Sequence, residues 1–192
     1  MTDSYSILVG VGELWVAPIG TAFPDVNATP STSWTNLGDT RDGVKFTKTQ
    51  KVNKIRHDQR TGGVKAVRSE EDAQIETKLP EVTLENLARV LGTAVTTVAA
   101  GVGTIGTKTI GLHQGSTVTE YAILLRGDSP YGAYPAQYQI PRGYFEGDLS
   151  LEMTNEDEQV IGVTITVLED LSESTEAYRF GKLVAQTAVA ES

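Results

Sequence analysis

Apolar and polar residues alternate with period two over much of this chain, the pattern of half-buried strands. Glu13–Pro18 (ELWVAP) reads as a strand with Leu14 and Val16 opposite Trp15 and Ala17. Gly20–Ser33 is rich in Gly, Pro, Thr, Ser and Asn and reads as a loop. Val44–Thr49 alternates again, with Val44 and Phe46 on one face. Asp72–Leu79 does the same, with Ala73, Ile75, Thr77 and Leu79 on one face. Between these two segments the apolar density falls, and Thr61-Gly62-Gly63 supplies a turn. Together they predict a long hairpin with a half-buried base and a polar tip, its extended arm covering about residues 48–71.

Thr83–Leu91 breaks the alternation. Leu84, Leu87, Ala88 and Leu91 fall on one helical face, Thr83 suits the N-cap, Glu85 the first turn and Gly92 the position after the last turn. So short a helix survives only by packing on a sheet. Thr93–Gly115 has weak strand character. Glu120–Arg126 reads as a buried strand, Asp128–Pro135 as a loop, and Tyr138–Pro141, Phe145–Thr154 and Gln159–Glu169 as further strands. Asn155–Glu158 is a polar turn, and Ser172–Ser192 is a tail with helical potential around Thr175–Leu183. The expectation is a mainly-β single domain over 1–192, with one helix on a sheet.

Composition narrows the chemistry. The chain has 192 residues, long enough to bury a core without staples. It has no Cys, which excludes disulfides and thiolate metal sites, and only His57 and His113 as histidines. The N-terminal residues show no basic segment followed by an apolar run, and no stretch approaches the roughly 20 apolar residues of a spanning helix. The expected product is soluble, made in a cytoplasm and not membrane-bound.

Charge adds an asymmetry. The chain carries a net −9, yet Arg41–Arg68 holds nine basic and two acidic groups, a net +7, which leaves −16 on the other residues. A positive segment on an acidic body can meet an identical neighbour with opposite sign. A head-to-tail contact of that kind builds rings or filaments. The overall acidity argues against a general nucleic-acid binder.

Motifs for enzymatic chemistry are weak. Gly101–Gly106 spells GxGxxG but follows a helix and runs into a strand-like Thr107-Lys108-Thr109, so it reads as a hairpin, not a nucleotide loop. Arg126-Gly127-Asp128 reads as a strand end with a turn. Glu156, Asp157 and Glu158 read as a solvated turn. No GxSxG is present, and neither histidine lies near a serine–acid pair. No catalytic, metal or cofactor site is expected. Tyr131, Tyr134, Tyr138, Arg142, Tyr144 and Phe145 suit a subunit contact better than a nucleic-acid platform.

The order of elements is informative. A strand ending WVAP-I-G leads to Trp34-Thr35-Asn36-Leu37-Gly38-Asp39-Thr40 and Asp42-Gly43-Val44. The arm follows, with Ile55–Gln59, then an alternating strand and the helix Leu84–Gly92. Ile140-Pro141-Arg142 and a strand closing Val167–Asp170 come last. In this order, over roughly Val9–Asp170, the chain resembles the tail tube (major tail) proteins of long-tailed bacteriophages (siphoviruses). The resemblance implies a β-sandwich or split barrel with a flanking helix, and a structural, non-enzymatic role in the virion tail. It implies hexameric rings stacked head to tail, contacts with tail completion, tape-measure and tip proteins, and a channel through which double-stranded DNA passes without specific binding. It also implies that the arm reaches the adjacent ring, through Lys48, Lys51, Lys54, Arg56, Arg60, Lys65 and Arg68. Asp72, Gln74, Glu76, Glu146, Asp148, Glu152, Thr164 and Thr166, on the strand faces opposite the apolar positions, would then face the lumen. Inner tubes of contractile injection machines share the fold and remain an alternative, and a soluble β-sandwich ligand-binding module is the rival from another class.

Overall fold

The computed structural model describes residues 12–56, 61–147 and 159–189. It is mainly β, half strand and 6% helix, and its sheets do not close into a barrel. The strands are β1 (Glu13–Pro18), β2 (Thr35–Asn36), β3 (Arg41–Arg56), β4 (Gly63–Leu79), β5 (Val95–Val98), β6 (Thr107–Ile110), β7 (Glu120–Asp128), β8 (Pro135–Phe145), β9 (Ile161–Val167) and β10 (Lys182–Ala185). The helix α1 (Leu84–Val90) lies between β4 and β5. An eight-stranded sheet runs β2-β1-β7-β8-β9-β4-β3, with β10 added to β8, and β5 and β6 form a separate two-stranded sheet.

The sheet curls because β8 changes partners along its length. Ala136–Gln139 pairs with β10, whereas Gly143–Phe145 pairs with β9. Between them the register with β7 shifts. Pro141 sits at that irregularity, where its missing N–H costs no ladder bond, so one strand continues through a residue that would end most central strands. The sequence pattern had split this strand at Pro141. Phe145 is the last residue of β8, not the first of a new strand, and most of Phe145–Thr154 lies outside the described residues.

The curl brings one face of β1 and β7 toward β4 and β9. Leu14 and Val16, Ile123 and Leu125, Ile140, Ile161, Val163 and Ile165, and Ile75 and Leu79 form one buried cluster. Each apolar side chain removed from water contributes about 1.5–3 kcal/mol before entropy is counted. The opposite face of β1 and β7 is covered by the loop after β1, where Trp34 packs with Ala17, Ala122 and Leu124. Trp34 also stacks with Phe23 at 5.2 Å and donates from Nε1 to the Ala22 carbonyl.

The helix forms where the sequence places it. Thr83 Oγ1 accepts from Asn86 N, and Gly92 takes the left-handed φ of 65° after the last turn. Leu87, Ala88, Val90 and Leu91 are buried, but Leu84 is only half-buried and Asn86 is buried in its place. Asn86 Nδ2 donates to the carbonyls of Leu37 and Glu81, which pins the start of the helix to the end of β2. Near the C-terminus a single 3-10 turn, Glu176–Tyr178, precedes β10, so only a fragment of the expected helical tail is helical.

Asn86→Ala removes the donors to the buried Leu37 carbonyl and the part-buried Glu81 carbonyl. It should cost about 1–3 kcal/mol, read as a lower urea midpoint at unchanged m. Leu87→Asp would bury an unpaired carboxylate, and the expected result is insoluble protein.

Candidate functional site

Two features distinguish this fold from an ordinary β domain. One is a hairpin that outruns the body. The other is a continuous polar face on the strands at its base.

β3 and β4 pair antiparallel along almost their whole length, from Arg41↔Lys78 to Arg56↔Gly63. The predicted arm is therefore a two-stranded ribbon. Residues 48–56 and 63–70 are all exposed, and beyond its base neither side of the ribbon rests on the body. Lys48, Lys51, Lys54, Arg56, Lys65 and Arg68 all stand on it; Arg60 lies outside the described residues.

Part of the basic charge is met within the hairpin. Lys48 Nζ lies 2.9 Å from Glu71, Lys51 Nζ 2.9 Å from Glu70, and Arg68 Nη1 2.6 Å from Glu71. Arg68 Nε also donates to Gln50 Oε1. Glu71 is held below its ordinary pKa of 4.5, first by the hydrogen bond from Lys48. The Lys48 and Arg68 pairs with Glu71 therefore act above the usual glutamate range and are lost as pH falls through the lowered value. Lys54, Arg56 and Lys65 form no ion pair among the described residues. The distal ribbon also exposes Val52, Ile55, Val64 and Val67, each 42–48% accessible. The tip expected to be polar thus carries apolar surface as well. Sequence reasoning missed it because isolated valines between charges give no alternating signal.

At the base the ribbon packs on the C-terminal segment. Phe46 stacks with Tyr138 at 5.6 Å, and Lys48 lies over the Phe180 ring at 5.8 Å. A groove of about 470 Å³ opens there, lined in part by Arg68, Glu71, Lys182 and Leu183.

The polar face follows from alternation on β4. Ala73, Ile75, Thr77 and Leu79 are buried, and Asp72, Gln74, Glu76 and Lys78 point to the other side. Pairing with β9 aligns Gln74 with Thr166, Glu76 with Thr164 and Lys78 with Gly162. Glu146 joins them just past β8. Its Oε1 accepts from Gln74 Nε2 at 2.9 Å and from Thr166 Oγ1 at 2.7 Å. Asp72, Gln74, Glu76, Glu146, Thr164 and Thr166 therefore share one surface, as their alternation requires; Asp148 and Glu152 lie outside the described residues.

That surface is not purely acidic. Lys45, opposite Glu76 in the register, places Nζ 3.0 Å from its Oε2. Lys78 Nζ lies 2.8 Å from Asp42 Oδ2. Asp42 and Gly43 are both unpaired where the register jumps from Arg41↔Lys78 to Val44↔Thr77. Asp42 adopts φ 64° there, a left-handed conformation that Asp tolerates better than most residues. Thr77 satisfies the bulge from the core side by donating to the Gly43 carbonyl.

Glu156, Asp157 and Glu158 lie outside the described residues, and the other motifs have structural explanations. Gly101–Gly106 forms the tip of the β5–β6 hairpin, closed by a Gly101↔Thr104 bridge. Arg126 lies near the end of β7 and donates to the Val26 carbonyl. Arg142 and Glu120 form a two-pronged pair across β7 and β8, at 2.5 and 3.0 Å. Among the described residues no His, Asp or Glu cluster could hold a metal ion, and no helix is long and apolar enough to cross a membrane.

Comparison with individually curated proteins gives no match. A protein-family model described as phage tail tube protein matches residues 1–183, nearly the whole chain. The chain belongs to the phage tail tube protein family.

Proposed function

We propose that identical copies of this chain close into hexameric rings, and that the rings stack head to tail into a tail tube that delivers double-stranded DNA. The observation that carries this reading is the polar face of β3, β4 and β9 with Glu146. It is continuous over three neighbouring strands, and its other side is core. As the wall of a channel it offers small hydroxyls and carboxylates to passing phosphate. Carboxylates repel a polyanion and hydroxyls neutralise none of its charge, so neither releases counterions, whereas an unmasked basic wall would retain it. Residues Asp72, Gln74, Glu76, Glu146, Thr164 and Thr166 would line the lumen, together with Asp148 and Glu152.

The ribbon is the proposed contact between rings. Its distal part combines Lys54, Arg56, Lys65 and Arg68 with exposed Val52, Ile55, Val64 and Val67. Such a surface suits docking on the acidic body of the next copy. Single exposed ion pairs contribute about 0–1 kcal/mol, but repetition around a ring multiplies the effect. Tail completion, tape-measure and tip proteins would meet the tube at its ends and along its bore.

Negative-stain microscopy of the purified full chain tests the reading, with rings or tubes expected. A chain that stays monomeric at every concentration would instead fit a soluble ligand-binding module. Lys54→Glu, Arg56→Glu and Lys65→Glu together should abolish long tubes while the far-UV spectrum and thermal midpoint stay near wild type. Persistence of long tubes at low salt would show that the ribbon does not dock through charge. Amide exchange over 50–56 and 63–70 should be fast in the monomer, where no core supports the ribbon, and slow in tubes. Equal protection in both states would remove the ribbon from the inter-ring contact.

A further inference from the structure

We propose that Asp42 and Glu76 mask Lys78 and Lys45 against phosphate, so that the polar face carries lysines without becoming a nucleic-acid site. The biological use of this masking rests on the channel reading above. The masking itself is a property of the isolated chain.

An open groove of about 410 Å³ lies at the bulge of β3. It is lined by the basic residues Arg41, Lys45 and Lys78, with Asp42, Glu76 and Thr164. Gly162 lies opposite Lys78 on β9 and adds no side chain to fill it. Two ammonium groups beside a guanidinium on a strand surface would ordinarily attract phosphate, because each neutralised phosphate releases a counterion. Here each lysine already faces a carboxylate, at 3.0 and 2.8 Å.

Neither pairing is an accident of rotamers. Glu76 is the direct cross-strand partner of Lys45. Asp42 reaches Lys78 because the bulge holds it at φ 64°, the one positive φ of a non-glycine among the described residues. Its carboxyl is correspondingly held below the ordinary aspartate range, first by the Lys78 hydrogen bond. Both pairs are largely exposed, so each is weak as a bond. The effect on a polyanion does not depend on that strength. The carboxylate stays within a few ångströms whether the pair is closed or open. An approaching phosphate therefore meets a neutral pair, and the released counterion that drives binding to a free lysine is missing.

The test uses Asp42→Asn with Glu76→Gln in the full chain. Asn accepts the left-handed conformation as readily as Asp, and both replacements keep side-chain size. A short DNA duplex, followed by fluorescence anisotropy across salt, is the probe. The double variant should gain affinity over wild type. That added affinity should fall about tenfold between about 50 and 200 mM salt, as two extra phosphate contacts require. Adding Lys45→Met and Lys78→Met should abolish the gain. Glu76→Gln alone leaves the bulge untouched and should give about half the added salt slope. Unchanged affinity and slope in a normally folded double variant would overturn the proposal. So would weaker DNA binding on replacing the two lysines in the otherwise wild-type chain. Particles carrying the double variant separate the two readings. Slowed DNA delivery places the unmasked lysines in the channel. Normal delivery despite the gained affinity keeps the masking and removes the face from the lumen.

Discussion

The register of β4 between β3 and β9 is the constraint on which both faces of this molecule depend. Its side chains alternate, so Ile75 and Leu79 reach the core only if Gln74 and Glu76 do not. A slip of one residue would turn the whole apolar set outward and bury Asp72, Glu76 and Lys78. Burying those charges without partners would cost far more than the lost apolar contacts alone. The same register places Lys45 on Glu76, Gln74 beside Glu146 and Thr164 beside Glu76. Core and polar face are thus two readings of one alternation, and neither can be altered without the other.

The ribbon beyond this register obeys different physics. Past Gln50 and Glu71 there is no core behind it, and a lone two-stranded hairpin is marginal in water. Cross-strand pairs at its base, Lys48 on Glu71 and Lys51 on Glu70, with Arg68 on Glu71 along β4, hold its root. Its long outer edge on β3 offers unpaired backbone groups along sixteen residues. Natural proteins blunt such an edge with lysines, and Lys45, Lys48, Lys51 and Lys54 stand along this one. They discourage indiscriminate strand pairing, while the distal valines and isoleucine stay exposed. A protein built to self-associate needs this balance, since an edge that is too sticky assembles anything.

Much of the fold was legible because alternation and capping are local signals. Leu14 and Val16 against Trp15 and Ala17, the β4 face and the Thr83 cap of the helix all lie where pattern places them. What escaped depended on distance along the chain. Pro141 reads as a strand end until the change of partner from β10 to β9 is known. Asn86 reads as a solvent position until Leu37 and Glu81 offer it carbonyls. The charge count suffered in the same way. Ending the basic stretch at Arg68 gave +7, but the strand continues through Glu70, Glu71, Asp72 and Glu76, which pairing brings back onto Lys51, Lys48, Thr49 and Lys45. The Thr61-Gly62-Gly63 turn signal does not reveal those partners by itself, because the observed pairs Lys51↔Glu70 and Lys45↔Glu76 are equidistant from a point between positions 60 and 61, and bulges shift the register along the way.

Electrostatic balance explains why a wall for a polyanion would contain lysines at all. Asp42, Asp72, Glu76 and Glu146 lie on one exposed surface of one chain. In a closed ring every copy repeats them at the same height, and uncompensated carboxylates would repel across the bore and along each strand. Neutral donors settle Glu146, through Gln74 and Thr166. Lys45 and Lys78 settle Glu76 and Asp42. The cost of assembling like charges is thereby reduced without creating a free cation. A wall of hydroxyls alone would also avoid retaining DNA, but between β3 and β4 it would lack the Lys45–Glu76 pair, whose opposite charges add to the choice of register. Opposite charges set directly across a strand pair contribute to both requirements at once.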